Sequence, residues 1–242
     1  MRALSSQEMV AVWEAAMPQH PVDRALTLLC AFVDRERGEL ADLSLGRRDE
    51  LLLAMRERLF GEALEGHVEC AACNEKLEFT TTTRALAAIE TPALGELVLR
   101  SGEYEVEFRL LTSRDLGAVV LAGEPRAARD VLLERCVLAA RRAGEPIAAR
   151  ALPQALVEEL GERLAAADPK AETRVALTCP KCGETSRVPF SIAAFLWTEV
   201  NAQAKRLLHE AADLARAFGW READTLAMSP VRRKFYLELA RA

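Results

Sequence analysis

The stretch Ala176-Leu177-Thr178-Cys179-Pro180-Lys181-Cys182-Gly183-Glu184-Thr185-Ser186-Arg187-Val188-Pro189-Phe190 reads as a strand, a Cys-x-x-Cys pair, a tight turn and a returning strand. A redox dithiol wants other surroundings, with the pair opening a helix whose dipole lowers a thiol pKa. Strand, pair, turn and strand is instead the layout of a zinc knuckle, whose turn aims successive backbone amides at the two thiolates. The position after the second Cys must tolerate positive φ, and Gly183 does so at no steric cost. Working outward, the layout recurs at Cys70-Ala71-Ala72-Cys73-Asn74-Glu75-Lys76-Leu77-Glu78-Phe79-Thr80, where Asn74 is the next best residue for that backbone conformation.

Four thiolates satisfy one tetrahedral Zn²⁺ site. Ordinary zinc ribbons separate their two pairs by about 15–20 residues, whereas 105 residues lie between Cys73 and Cys179. Half a tetrahedron is no site, so the two knuckles either meet around one metal or are metal-free. The expectation is a shared structural Zn²⁺ held by Cys70, Cys73, Cys179 and Cys182. His67, three residues before Cys70, reads as a strand-edge histidine rather than a spare ligand. The remaining cysteines, Cys30 and Cys136, sit among helical apolar residues and read as small buried hydrophobes. His67–Ile89 and Ala176–Trp197 share one order (strand, Cys-x-x-Cys, turn, strand ending in Phe, helix), a weak internal repeat.

The rest of the chain is mostly helical in pattern. Helices are expected within 6–35, from Leu45 through Leu59 with Gly61 past its end, from Ser113 to Val120, over Pro125–Arg142 and over Leu152–Ala167. The longest runs from Ile192 to about Phe218, with shorter ones at Arg221–Met228 and from Ser229-Pro230 to Arg241. Residues 97–110 alternate strictly, with Tyr104, Val106, Phe108 and Leu110 against Glu103, Glu105, Glu107 and Arg109, and predict a hairpin about Ser101-Gly102. The fold class is therefore α+β and mainly helical. It has two knuckle hairpins forming a split zinc-ribbon-like module, one further β-hairpin and long C-terminal helices. The expected divisions are 1–65 (helical), 66–90 (first knuckle), 91–173 (inserted hairpin and helices), 174–190 (second knuckle) and 191–242 (helical).

Composition narrows the function. The 242 residues are half hydrophobic and 29% charged, ordinary for a globular chain. With 32 Lys and Arg against 37 Asp and Glu the net charge is −5, unsuited to general phosphate-backbone binding. No specific nucleic-acid partner is expected. The first residues lack the apolar core of a signal peptide, and the apolar run Leu116–Gly123 is far short of a membrane span, so a soluble cytoplasmic chain is expected. Three histidines and the absence of a nucleophile elbow, phosphate loop or His-Glu-x-x-His helix argue against an enzyme. The Glu103, Glu105 and Glu107 face and the Arg141-Arg142 pair read as solvated surface. Arg232-Arg233-Lys234 beside Phe235-Tyr236 mixes charge with aromatic surface, and Arg232, Arg233, Phe235 and Tyr236 are the candidate partner-binding residues.

Half of the chain carries a resemblance. Its residues are Cys179-Pro180-Lys181-Cys182-Gly183, Pro189-Phe190-Ser191-Ile192-Ala193-Ala194-Phe195-Leu196-Trp197, Leu207-Leu208-His209-Glu210, Leu214 to Asp224 and Leu226 to Glu238. Leu45-Gly46-Arg47-Arg48-Asp49-Glu50-Leu51-Leu52-Leu53, Phe60-Gly61 and the first knuckle add to it. These residues resemble the baseplate hub assembly chaperone family of contractile phage tails, found also in prophages and bacterial phage-tail-like clusters. The first knuckle departs from it in lacking the Pro and Gly of the second. The resemblance implies a non-catalytic protein that helps a baseplate or hub component fold or assemble, with that component as partner. The rival reading is a zinc-ribbon adaptor acting on nucleic acid or in transcription.

Overall fold

The computed structural model describes residues 4–90, 95–120 and 123–241. Positions 91–94, where the inserted segment is expected to begin, and 121–122 of the apolar run Leu116–Gly123 lie outside the described residues. In chain order the elements are α1 (Ser6–Ala16), α2 (Pro21–Phe32), α3 (Arg37–Asp42), α4 (Leu45–Phe60), β1 (Ala63–Glu69), β2 (Lys76–Thr82) and α5 (Thr83–Ala87). There follow β3 (Val98–Ser101), β4 (Tyr104–Phe108), α6 (Ser113–Val120), α7 (Pro125–Cys136), β5 (Val137–Arg142), β6 (Glu145–Pro146) and α8 (Gln154–Ala167). The chain continues with β7 (Arg174–Thr178), β8 (Thr185–Pro189), α9 (Ile192–Phe218), α10 (Glu222–Ala227) and α11 (Pro230–Arg241). The chain up to Arg37, with everything from Ile192 onward, forms one compact unit, and Gly38–Ser191 forms the other. Among the described residues, no helix is long and apolar enough to cross a membrane.

The first unit is a helical assembly around α9. Its buried residues Ile192, Leu196, Val200, Ala204, Leu207, Ala211 and Leu214 recur every three or four positions, giving one continuous stripe. Helices α1, α2, α10 and α11 pack on α9. Ser5 starts α1 with a capping box, its Oγ accepting from the Glu8 N–H and its own N–H donating to Glu8 Oε2. Trp13 Nε1 donates to Asn201 Oδ1 at 2.9 Å, and the Arg24 guanidinium lies 4.7 Å from the Trp197 ring centre. Cys30 departs from expectation and is exposed. The buried face of α2 runs through Ala25, Leu26, Leu28, Leu29 and Phe32 and leaves position 30 outside.

In the second unit, β3, β4, β5 and β6 form one antiparallel sheet in sequence order. Leu99, Val106, Phe108 and Ala140 from the sheet bury against Leu133 of α7 and Leu156 and Leu160 of α8. The expected isolated hairpin is thus half of a four-stranded sheet. The helix expected over Pro125–Arg142 ends at Cys136, and Val137–Arg142 is a strand. Local propensity favours helix in Ala139-Ala140-Arg141-Arg142. Pairing with β4 overrides it, setting Arg141 Nη1 3.1 Å from Glu107 Oε1 and Arg142 Nη2 2.6 Å from Glu103 Oε1. The glutamate face read as merely solvated is therefore a row of exposed cross-strand ion pairs.

Two buried carboxylates tie distant segments of this unit together. Asp168 Oδ2 accepts from the Gly46 N–H at 2.9 Å, capping α4 from 122 positions away in sequence. A side chain at position 46 would collide with it, since a Cβ there would sit 1.8 Å from Asp168 Oδ1. Asp115, fully buried, accepts from Arg109, Arg135 and Thr112. Burial favours its neutral form, but those partners hold its carboxyl well below the usual carboxylate range. Cys136 is buried as expected, and desolvation, with the nearby Asp115 charge, pushes its thiol up to about 11.

Candidate functional site

The two Cys-x-x-Cys pairs sit on hairpins β1–β2 and β7–β8, each a separate two-stranded sheet. In both, the first Cys follows the end of the leading strand and the returning strand begins three residues after the second Cys. The turns are closed by matching bonds. Cys70 N–H donates to Glu75 O at 2.8 Å and Asn74 N–H to Cys70 O at 2.9 Å. Cys179 N–H donates to Glu184 O at 2.8 Å and Gly183 N–H to Cys179 O at 2.9 Å. Asn74 and Gly183 take φ of +57° and +75°, the left-handed backbone that the turn requires.

The hairpins bring all four cysteines together. Their Sγ atoms lie within 4.8 Å of one another, with Cys70 and Cys182 3.7 Å apart and Cys73 and Cys179 3.6 Å apart. Metal–sulfur bonds of about 2.3 Å in a tetrahedron place sulfurs roughly 3.8 Å apart, so the donor set fits a four-thiolate cation site. Cys70 and Cys179 are buried, Cys73 is half-buried and Cys182 is exposed. Leu77, Val68, Cys70, Cys73 and Cys179 pack into a small apolar cluster. Lys181 Nζ reaches Glu75 Oε2 at 2.7 Å, and the Phe79 and Phe190 rings meet edge-on at 6.4 Å. His67 is an exposed residue of β1 paired with Glu78.

The thiols are electrostatically unequal. The backbone N–H groups of Cys182 and Lys181 bring Cys179 down to about 7. Although the Glu184 N–H favours its thiolate, Cys182 is pushed up to about 12 by the adjoining Cys73 and Cys179 sulfurs. One thiolate is easily formed here, and each further negative charge is opposed by the first. A divalent cation removes that opposition.

The other sequence candidates lie on α11 and divide between two faces. Arg233 is 4% exposed, with Nε 2.6 Å from Glu210 Oε2 and Nη1 donating to Ser6 Oγ and Met228 O. It fastens α11 to α9 and α1. Tyr236 is half-buried, its ring edge-on to Trp220 at 4.8 Å, and Trp220 stacks on Phe218 at 4.8 Å. Arg232 and Phe235 are exposed, and so are Val231 and Leu239, which the sequence reading passed over. Their signal was present as the four-residue spacing 231, 235, 239. Arg233 and Leu237 share that spacing, so periodicity alone did not say which row faces out.

The sequence model of the family described as T4 bacteriophage base plate protein matches residues 26–197. That span takes in both cysteine pairs and the sheet between them, and ends before most of α9 and all of α10 and α11. No curated protein and no solved structure matches the chain.

Proposed function

Because the chain belongs to the T4 bacteriophage base plate protein family, we propose that it is a non-catalytic component or assembly chaperone for the baseplate or hub of a contractile tail or tail-like particle, stapled by one structural zinc ion. The observation that carries the zinc reading is the convergence of Cys70, Cys73, Cys179 and Cys182 within 4.8 Å, although 105 residues separate the two pairs in sequence. Four thiolates close a tetrahedral site and leave no position for a substrate, which supports a structural role over a catalytic one. When bound, the ion would cross-link the hairpins at the two ends of the segment holding the four-stranded sheet. Metal affinity there would count as folding free energy.

The baseplate reading places the protein among other particle components, either in the finished particle or in the cytoplasm during assembly. Two measurements test it. Elemental analysis of the purified chain should find one zinc per chain, and its absence would overturn the metal. Purification from cells expressing the surrounding gene cluster should bring down a baseplate or hub protein. Binding of duplex DNA that survives about 200 mM salt, with no tail protein recovered, would support the nucleic-acid adaptor instead.

A further inference from the structure

We propose that the outward row of α11 is a docking ridge for an apolar groove with acidic edges on a partner baseplate protein. Val231, Phe235 and Leu239 are 79%, 58% and 52% exposed, spaced four residues apart on one face of a helix whose opposite face is fixed by Arg233 and Leu237. Three anchors over nine residues span about 12 Å, the pattern by which a helix seats in a groove. The central anchor is held in place before binding. Phe235 leans edge-on against Tyr236 at 5.6 Å, Tyr236 against Trp220, and Trp220 on Phe218, a ladder of rings leading back to the end of α9. An aromatic side chain that is already ordered loses little freedom on burial, which favours its use as an anchor.

Charge selects the occupant. The exposed charged side chains of α11 are Arg232, Lys234 and Arg241 against Glu238 alone. Lys234 and Glu238 face each other at 4.0 Å, and among the described residues the Arg232 guanidinium has no carboxylate within ion-pair distance. A second copy packed ridge to ridge would set these cations against one another, so the complement is a different surface carrying carboxylates beside its groove. A bilayer is a poorer match. Membrane-surface helices bury a broad apolar face, and here the exposed apolar row is one residue wide and flanked by Arg232, Lys234 and Glu238.

The choice of probe rests on the baseplate reading. Each baseplate protein encoded in the same gene cluster is titrated singly against the full-length zinc-loaded chain and its variants. At least one should bind, with Kd raised about 30-fold by Phe235→Ser, about 10-fold by Val231→Glu and about 5-fold by Arg232→Glu. Added salt should weaken the wild-type complex more than the Arg232→Glu complex. Val231→Glu, at the most exposed of the three positions, guards against a folding artefact and should keep the wild-type Tm and zinc content. A complex whose affinity none of the three variants changes would place docking elsewhere and overturn the ridge while leaving the baseplate reading intact. If no cluster protein binds the wild-type chain, the baseplate reading fails and the ridge with it. A solution dimer lost in Phe235→Ser, or sedimentation with phosphatidylserine vesicles lost in the same variant, would replace the protein groove by a second copy or by a lipid surface.

Discussion

The two knuckle hairpins reach the same turn geometry with different residues. One closes with Cys70-Ala71-Ala72-Cys73-Asn74 and the other with Cys179-Pro180-Lys181-Cys182-Gly183, yet the backbone bonds of the two turns agree within about 0.1 Å. What the turn demands is a residue tolerating positive φ and two N–H groups facing the sulfurs, and Asn and Gly both meet the first condition. The strands behind the turns are not equivalent. Gly66 stands opposite Phe79 in β1–β2, whereas the corresponding pair in β7–β8 is Val175 opposite Val188. The two phenylalanines that gave the repeat its resemblance are out of step by two residues. Phe79 is paired inside β2, while Phe190 follows the end of β8 and its N–H donates to Thr173 O. Only the turns behave as a repeat. The strands are fitted to one another.

The largest effect should come from breaking both turns' common purpose. Cys70→Ser and Cys179→Ser should each lose the metal and at least about 3 kcal/mol, lowering Tm by roughly 6–12 °C. Calorimetry alongside zinc analysis checks this, and retention of full metal by one variant would show that the hairpins are not equal partners. Next is Gly66→Ala, confined to the first hairpin. Its Cβ would lie 2.6 Å from Phe79 Cζ, and the ring is already held against Phe190, so about 1–2 kcal/mol should be lost. Pairing it with Phe79→Leu should recover most of that loss in urea unfolding.

Smaller again is the turn residue itself. Gly183→Ala should cost about 1 kcal/mol, Gly183→Asn less than half as much, and Asn74→Gly should stay within about 0.5 kcal/mol of wild type. Equal costs for Ala and Asn at position 183 would show that backbone strain is not what distinguishes the turns. The smallest effect belongs to Lys181→Ala, which removes the Lys181–Glu75 pair. Both side chains are substantially solvated, so a double-mutant cycle should give no more than about 0.5 kcal/mol.

The cysteine cluster was legible because each half is local. Four cysteines, two residues tolerant of positive φ and the strand pattern on either side all lie within short windows. Only the number of ligands points to their meeting across the inserted segment. The inserted segment was read less well. A helix was expected through Arg142 because alanine and arginine favour helix, and nothing near Val137 announces that β4 needs a partner. Asp115 and Asp168 gave no local signal at all, since what makes them structural is the burial and the distant donors that tertiary contacts supply.

By itself the sequence determined the turns, the caps, the helix of Ile192–Phe218 and the chemistry of the four thiols, because each depends on residues a few positions apart. Tertiary structure alone decided which way ambiguous elements faced. In α11 two rows of equal spacing competed for the interior, and one carried Phe235. The row with Arg233 won, since Glu210, Ser6 and the Met228 carbonyl together satisfy a buried guanidinium. Those partners come from three other places in the chain, and their arrival left the apolar row facing out.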